Sequence, residues 1–429
     1  MEIMLQLGIL ATILSPYLIV VPTLLVLVAI SQKKAIPLLN PVSKGLFLLA
    51  ACALLSGVVN ASPLSAGSAA VIVCYALIAA YLYWAARDAD LLLLLRKVWR
   101  FAVAAAALGI LEKVASYFFN LAWIASFYLD ETIDDIYRIY STFGNPNIAG
   151  AWFAAMILVG LYLFQAEYFQ RKLYYAVGLV LLAAALLFSG SRGATFSVEV
   201  GLVVYALLDG NKFNRTILWF TFAGILLLAL LSPEINHTWH DRIQIWVKSL
   251  ALFAQSPVLG TGTFGSRQQL NILHAHNIWI SILTLYGLVG FCIYLWSRVS
   301  LYKSFLLLKK QKAPLLPLLA SLQAILLAHG IVDCILLSPQ GGVLYFAVAA
   351  TVCGLAARGR VGMADGAVKC GRAALQPEKV TKFLTRRKLV RFSRNREKYG
   401  RKEQHYDHRS STGNLQNRNP SAAQPVKSG

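Results

Sequence analysis

Charged residues are scarce: Asp, Glu, Lys and Arg make up 14% of the 429 residues, against roughly a quarter in soluble domains. With 58% of residues apolar, this shortage excludes an ordinary water-soluble globule. Alternation of apolar and polar residues is missing as well, which excludes a membrane β-barrel. The six cysteines (Cys52, Cys74, Cys292, Cys334, Cys353 and Cys370) show no C-x-x-C or related spacing, and most fall in apolar runs. They read as small packing residues, not metal ligands. No basic segment precedes the first apolar run, so no cleavable signal peptide is expected. A net charge of +21 suggests nucleic acid, but residues 358–429 alone carry 18 Lys and Arg against 5 Asp and Glu. Much of the excess is one tail, and no nucleic-acid partner is expected.

What is present is a series of apolar runs of membrane-spanning length. They lie near 5–30, 45–60, 67–86, 99–118, 147–166, 173–190, 195–208, 216–232, 277–297, 313–334 and 340–357. Pro16 and Pro22 leave open whether 5–30 is one helix or two. The expected fold is all-α: a polytopic membrane protein with about eleven or twelve transmembrane helices. Residues 1–357 form the membrane domain and 358–429 a basic tail with an amphipathic helix around Glu378–Lys402 and a polar, partly disordered end.

Basic residues set the orientation. One group of loops holds Lys33, Lys34, Lys44, Arg87, Arg96, Lys97, Arg100, Arg171, Lys172, Lys212, Arg215, Arg298, Lys303, Lys309, Lys310 and Lys312. The other holds only Arg138, Arg192, Arg242, Lys248 and Arg267. The first group, and the tail with it, is assigned to the cytoplasm. Two longer loops, about 119–146 and 233–276, fall outside. The second has apolar residues at helical spacing (Ile245, Trp246, Leu250, Phe253) and is expected to be ordered along the membrane surface.

Three outer positions carry candidate chemistry. Arg192 lies in Ser189-Gly190-Ser191-Arg192-Gly193-Ala194, a short turn between two apolar runs. Such a charge snorkels, pairs or functions, and the small flanking residues leave room for another group. Arg242 has Trp246 one turn later and Glu234 as an alternative internal partner. His276 and Asn277 open an apolar run, where Asn277 is either a helix N-cap or a substrate contact. Asp333, one turn after His329, is read as a partner for one of the arginines. Glu112 and Lys113 interrupt the fourth run; adjacent helix positions point apart, so each is expected to need its own partner. His274 and His276 suggest metal, and His237 and His240 add imidazoles, but no carboxylate or cysteine completes a set in the sequence. No metal is expected. Gly260-Thr261-Gly262-Thr263-Phe264-Gly265 matches G-x-G-x-x-G, yet it follows an amphipathic helix and not a strand. A tight turn beneath the histidines is expected there, not a dinucleotide site.

Three segments lie in order on this outer face. They are Gly144-Asn145-Pro146-Asn147, Ser191-Arg192-Gly193-Ala194, and the block from Arg242 through Trp246, Pro257, Gly260 and Gly262 to His276-Asn277 and Gly287/Gly290. Together they resemble the O-antigen ligase and polysaccharide-polymerase superfamily over roughly residues 1–357. The resemblance implies a membrane glycosyltransferase that needs no metal or other cofactor. Such enzymes take a glycan from undecaprenyl diphosphate at the outer face of the bacterial cytoplasmic membrane. They pass it to a saccharide or lipid-linked saccharide acceptor, with membrane lipids as the surrounding partner. The family's two essential arginines and histidine carry over to Arg192, Arg242 and His276. Asn145, Trp246, Asn277 and Asp333 join the arginines as expected substrate contacts.

The residue types suit that reaction. Guanidinium groups bind diphosphate oxygens in a bidentate manner and stabilise the charge that grows on the leaving group. A histidine titrates near neutrality and can take the acceptor's proton. Ligase, polymerase and protein O-glycosylating members share these residues; His274-Ala275-His276-Asn277 leans towards a ligase. A transporter or flippase of the same lipid-linked glycans is the rival from another class. Glu112-Lys113 favours it; the charges gathered at one face and the absence of an internal repeat do not.

Overall fold

The computed structural model describes residues 2–32, 34–88, 90–128, 137–166, 169–209, 234–272 and 274–374. Among these there are helices and no strand. In hydrocarbon a backbone N–H or C=O finds no water, and a helix satisfies both within one segment. Among the described residues, six helices are long and apolar enough to cross a membrane. Every predicted run has its helix except 216–232, which lies outside the described residues, as does the expected tail helix. Met1–Arg360 form one compact unit, and the candidate site falls within it.

The 5–30 run is two helices, α1 (Glu2–Leu14) and α2 (Val20–Ser31), separated by a 3₁₀ turn at Pro16–Ile19. Ser15 Oγ accepts the Tyr17 N–H at 3.3 Å to start that turn. Gly8 packs on Pro22 and Leu25, so the pair folds back as a hairpin. Its tip, at Pro16, meets Gly144, at the end of the bundle that holds the candidate site.

The following helices are α3 (Pro41–Val59), α4 (Pro63–Asp88), α5 (Leu91–Ser116), the short α6 (Ala122–Phe127), α7 (Pro146–Ala166), α8 (Phe169–Phe188) and α9 (Arg192–Asp209). After the undescribed stretch come α10 (Glu234–Gln255), α11 (Gly265–Leu270), α12 (Ile278–Lys310), α13 (Leu316–Val332) and α14 (Pro339–Ala374). The segment expected to form a surface helix is α10. Ile243, Val247 and Leu250 form its exposed apolar stripe, whereas Trp246 is half-buried and Ser249 and Leu252 are buried.

One irregularity organises this end of the bundle. α12 breaks at Gly287 (φ 65°, ψ −168°), which interrupts its hydrogen-bond ladder. The segment 257–262 fills the gap. Thr284 O and Leu285 O accept the N–H groups of Thr261 and Gly262, both at 3.0 Å. Leu288 and Val289 donate to Pro257 O (2.9 Å) and Val258 O (3.2 Å). The two backbones touch, so a side chain on Gly260 or Gly287 would strike the opposite chain. This is the work of the glycine-rich motif. The α3–α4 turn holds the pairing from outside: Asn60 Nδ2 donates to Gly260 O at 3.0 Å, and Ser65 Oγ accepts the Phe264 N–H at 3.0 Å.

Gly287→Ala is therefore expected to cost roughly 3 kcal/mol or more, from the forbidden backbone region and the collision with Val258 O. Gly67→Ala in α4, with open space around it, is the control and changes little. Thermal unfolding of the two purified variants checks this, and equal midpoints would refute the pairing's importance.

Candidate functional site

The last turn of α13 is the hub. Helix ends leave carbonyls without intrahelical donors, and here three parts of the chain supply donors or receive them. Asn277 Nδ2 donates to Ile331 O at 2.9 Å. Arg242 Nη1 donates to Val332 O at 2.6 Å. Asp333, the residue after the helix, turns its carboxylate towards His274 and His276. The start of α9 joins them, because Gly193 packs on Val332 and His329. Arg192, one residue earlier, is exposed at the first position of α9.

Hydrogen bonds fix the protons of the two imidazoles. The His276 N–H donates to His274 Nδ1 at 3.0 Å. A backbone N–H can only donate, so Nδ1 of His274 holds a lone pair and its ring proton sits on Nε2. That Nε2 faces Asp333 Oδ1 at 3.7 Å. His276 Nδ1 lies 3.4 Å from the same oxygen. An ionised carboxylate accepts only, so this contact calls for a proton on His276 Nδ1 and leaves Nε2 as the nitrogen that faces away from Asp333. Oδ1 also accepts the Cys334 N–H at 2.7 Å, which orients the carboxylate. His276 adopts φ +48°, a left-handed conformation uncommon outside glycine, and the His274 hydrogen bond closes that turn. The His276 side chain is 32% exposed against 14% for His274, so His276 is the ring an incoming group reaches.

The sequence reading found no carboxylate to complete a metal set, and this needs correction. Asp333 lies 57 residues beyond His276, and the three donor atoms fall within 4.8 Å of one another. Spacing alone suits an ion. The protons oppose it: a metal on His274 Nε2 would have to displace its proton, while Nδ1 is already engaged by the backbone.

Burial lowers the His274 pKa from 6.5 to about 4; Asp333 opposes that shift, while His276 and Arg242 add to it. Burial also lowers Arg242, with Asp333 again opposing and Arg138 adding to the shift. The last effect reveals a residue that sequence reasoning used only for topology. Arg138 lies against Gly190, in the turn whose Gly193 packs on Val332, and Arg242 binds the Val332 carbonyl. Its Nε donates to Ser189 O at 2.8 Å and its Nη2 to Asn147 Oδ1 at 2.5 Å. The available signal was a charge in the long 119–146 loop just before Gly144-Asn145-Pro146-Asn147.

The other expected contacts have local tasks. Asn145 Oδ1 accepts the Asn147 N–H at 2.8 Å and starts α7. Asn277 Oδ1 accepts from Trp279 (3.0 Å) and Ile280 (3.1 Å), so it is the N-cap of α12 as well as a tie to α13. Trp246 lies one turn along α10 from Arg242. Glu112 and Lys113, expected to need a partner each, meet on one residue: Tyr137 Oη donates to the carboxylate at 2.6 Å, and Lys113 Nζ donates to Tyr137 O at 2.7 Å.

Residues 177–295 match a family model described as O-antigen ligase. The match includes Arg192, Arg242, Trp246, His276 and Asn277, and stops short of Asp333; Arg138 and Asn145 precede it. It supports the resemblance to the O-antigen ligase and polymerase superfamily, whose members are membrane glycosyltransferases. No curated protein matches the chain.

Because folding lowers the His274 pKa, the unfolded chain takes up a proton below about 6.5 that the native ring refuses until about 4. Its contribution to stability is complete above that window and is lost as the pH falls through it. The unfolding midpoint of the wild type is expected to fall between pH 6.5 and 4 more steeply than that of His274→Asn. Equal slopes would refute a ring held neutral by folding.

Proposed function

We propose, from the O-antigen ligase match and the site that surrounds it, that this chain transfers a glycan from undecaprenyl diphosphate to an acceptor hydroxyl at the outer face of the bacterial cytoplasmic membrane. The observation that carries the reading is His276 Nδ1 held 3.4 Å from Asp333 Oδ1, which leaves Nε2 for an acceptor, at the end of the bundle where Arg242 meets Val332 O and Gly193, next to Arg192, packs on Val332.

The chemistry follows from these groups. The diphosphate sits against the arginines, while its polyprenyl tail stays in lipid. The acceptor oxygen forms a bond to the anomeric carbon as the carbon–oxygen bond to the diphosphate breaks. The acceptor's proton passes to His276 Nε2, and the bonding electrons leave with the lipid diphosphate. Asp333 keeps His276 in the one tautomer that can receive that proton and stabilises the imidazolium that forms. Guanidinium groups placed in advance offset the growing negative charge without a metal. Metal independence has support in the engaged Nδ1 and protonated Nε2 of His274. Asn277 serves as a support for His276 in this scheme, since its amide is committed to α12 and α13.

The ligase form is preferred on His274-Ala275-His276-Asn277: both histidines have defined tasks around Asp333. The feature that favoured transport, Glu112-Lys113, is bonded to the loop before α7.

Purified protein given an undecaprenyl-diphosphate glycan and candidate acceptors should transfer in the presence of chelator. His276→Ala should lose about 10²–10⁴-fold in rate, with Arg192→Ala and Arg242→Ala also strongly impaired. Normal transfer by all three would sink the assignment. Loss of activity on chelation would defeat metal independence, and lipid flipping without transfer to any acceptor would favour the transporter.

A further inference from the structure

Two adjacent residues near the outer end of α5 hold a strap of chain, Tyr137–Ser141, that carries Arg138. Glu112 takes three donors from it: Tyr137 Oη at 2.6 Å, the Tyr140 N–H at 2.9 Å and the Ser141 N–H at 2.6 Å. Lys113 Nζ donates to the Tyr137 carbonyl at 2.7 Å and is buried. The polarity matches along the strap: its carbonyl meets the ammonium and its N–H groups meet the carboxylate. Two further bonds finish the attachment, from the Ile139 N–H to Phe188 O at 3.2 Å and from Ser141 Oγ to Ala105 O at 2.6 Å. Arg138 is thus fixed through the backbone on both sides, and its side chain reaches Ser189 O and Asn147 from that base.

Burying a carboxylate and an ammonium is costly unless both are paired and hydrogen-bonded. A loop could be closed with neutral groups. Charge-assisted bonds to a strap are stronger and more exact in geometry. What they fix here is a guanidinium against Ser189 and Gly190, in the turn whose Gly193 packs on Val332, the residue whose carbonyl Arg242 holds. Like charges brought together need an anion between them or a rigid frame around them, and the strap provides the frame.

We propose that Glu112 and Lys113 are positioning residues. They hold the strap so that Arg138 stands beside Arg242 as a further cation for the diphosphate of the lipid-linked donor. This rests on the donor reading given above. A guanidinium on a loose strap would have to be ordered each time the donor bound; one fixed beforehand is not.

The test is a double-mutant cycle with full-length protein in phospholipid nanodiscs. Initial rates are measured while the undecaprenyl-diphosphate glycan is varied at saturating acceptor. Glu112→Gln is expected to raise the donor KM about tenfold, the loss of one charge-assisted bond, with kcat changed far less. Arg138→Ala should do the same. The two together should be no worse than Arg138→Ala alone, because Glu112 acts through Arg138. Glu112→Asp should recover part of the loss. Effects that multiply in the double variant, or an unchanged donor KM in Glu112→Gln, would overturn the proposal. If Glu112→Gln does not fold, Tyr137→Phe removes a single donor from the same carboxylate and should raise the donor KM about two- to threefold; an unchanged value there overturns it equally. His276→Ala separates the two levels. If it transfers at the wild-type rate, the donor reading falls and the positioning role with it. If it is inactive while the cycle is additive, only the positioning role falls.

Discussion

A helix that stops within a membrane protein leaves its final carbonyls in need of donors, and the end of α13 is such a place. Ile331 O takes the Asn277 amide and Val332 O takes the Arg242 guanidinium. The negative end of the helix dipole suits a cation there. Because Asn277 is also the N-cap of α12, one side chain sets the start of α12 against the end of α13. His276 precedes that cap directly, and Asp333 follows α13 directly. The histidine and the carboxylate therefore meet as a consequence of satisfying two helix ends.

The arginines and the histidine do different kinds of work and are held in different ways. Arg242 comes from the side, on a helix with an exposed apolar stripe. Arg192 comes from a tight turn between α8 and α9, and Arg138 from a strap tied to α5. All three bring permanent charge that can be fixed well before a substrate arrives. His276 needs more: its ring must hold a proton on one nitrogen and none on the other. Only a partner that accepts at Nδ1 enforces that, which is why a carboxylate from a distant helix end is part of the arrangement.

Much of the fold was legible because hydrocarbon imposes length and hydropathy on every crossing. The end of the bundle that holds Arg192, Arg242 and His276 was legible for a related reason: basic residues are rare on that side, so each one stands out. Pairings across long separations were not. Asp333 is 57 residues from His276, and nothing in either neighbourhood announces the other. The outward face of α10 was not legible, since apolar residues occur on both of its sides and only packing decides which meets the protein. The glycine motif's partner, the break in α12, was not legible, because it depends on a φ at Gly287 that a residue name only permits.

The pairing between 257–262 and the break in α12 also orders events in time. Its two halves lie about thirty residues apart, and both are made before α13. The wet end of the bundle can thus acquire its re-entrant loop early, from a short and rapidly closed loop of chain. The carboxylate that sets the histidine's tautomer arrives later, at residue 333, after α12 has been completed and α13 added. A ribosome-bound chain carries the arginines and the imidazole for some time before the proton-accepting nitrogen is defined. The His276–Asp333 contact is then a late product of synthesis, made possible only after the penultimate described helix is complete.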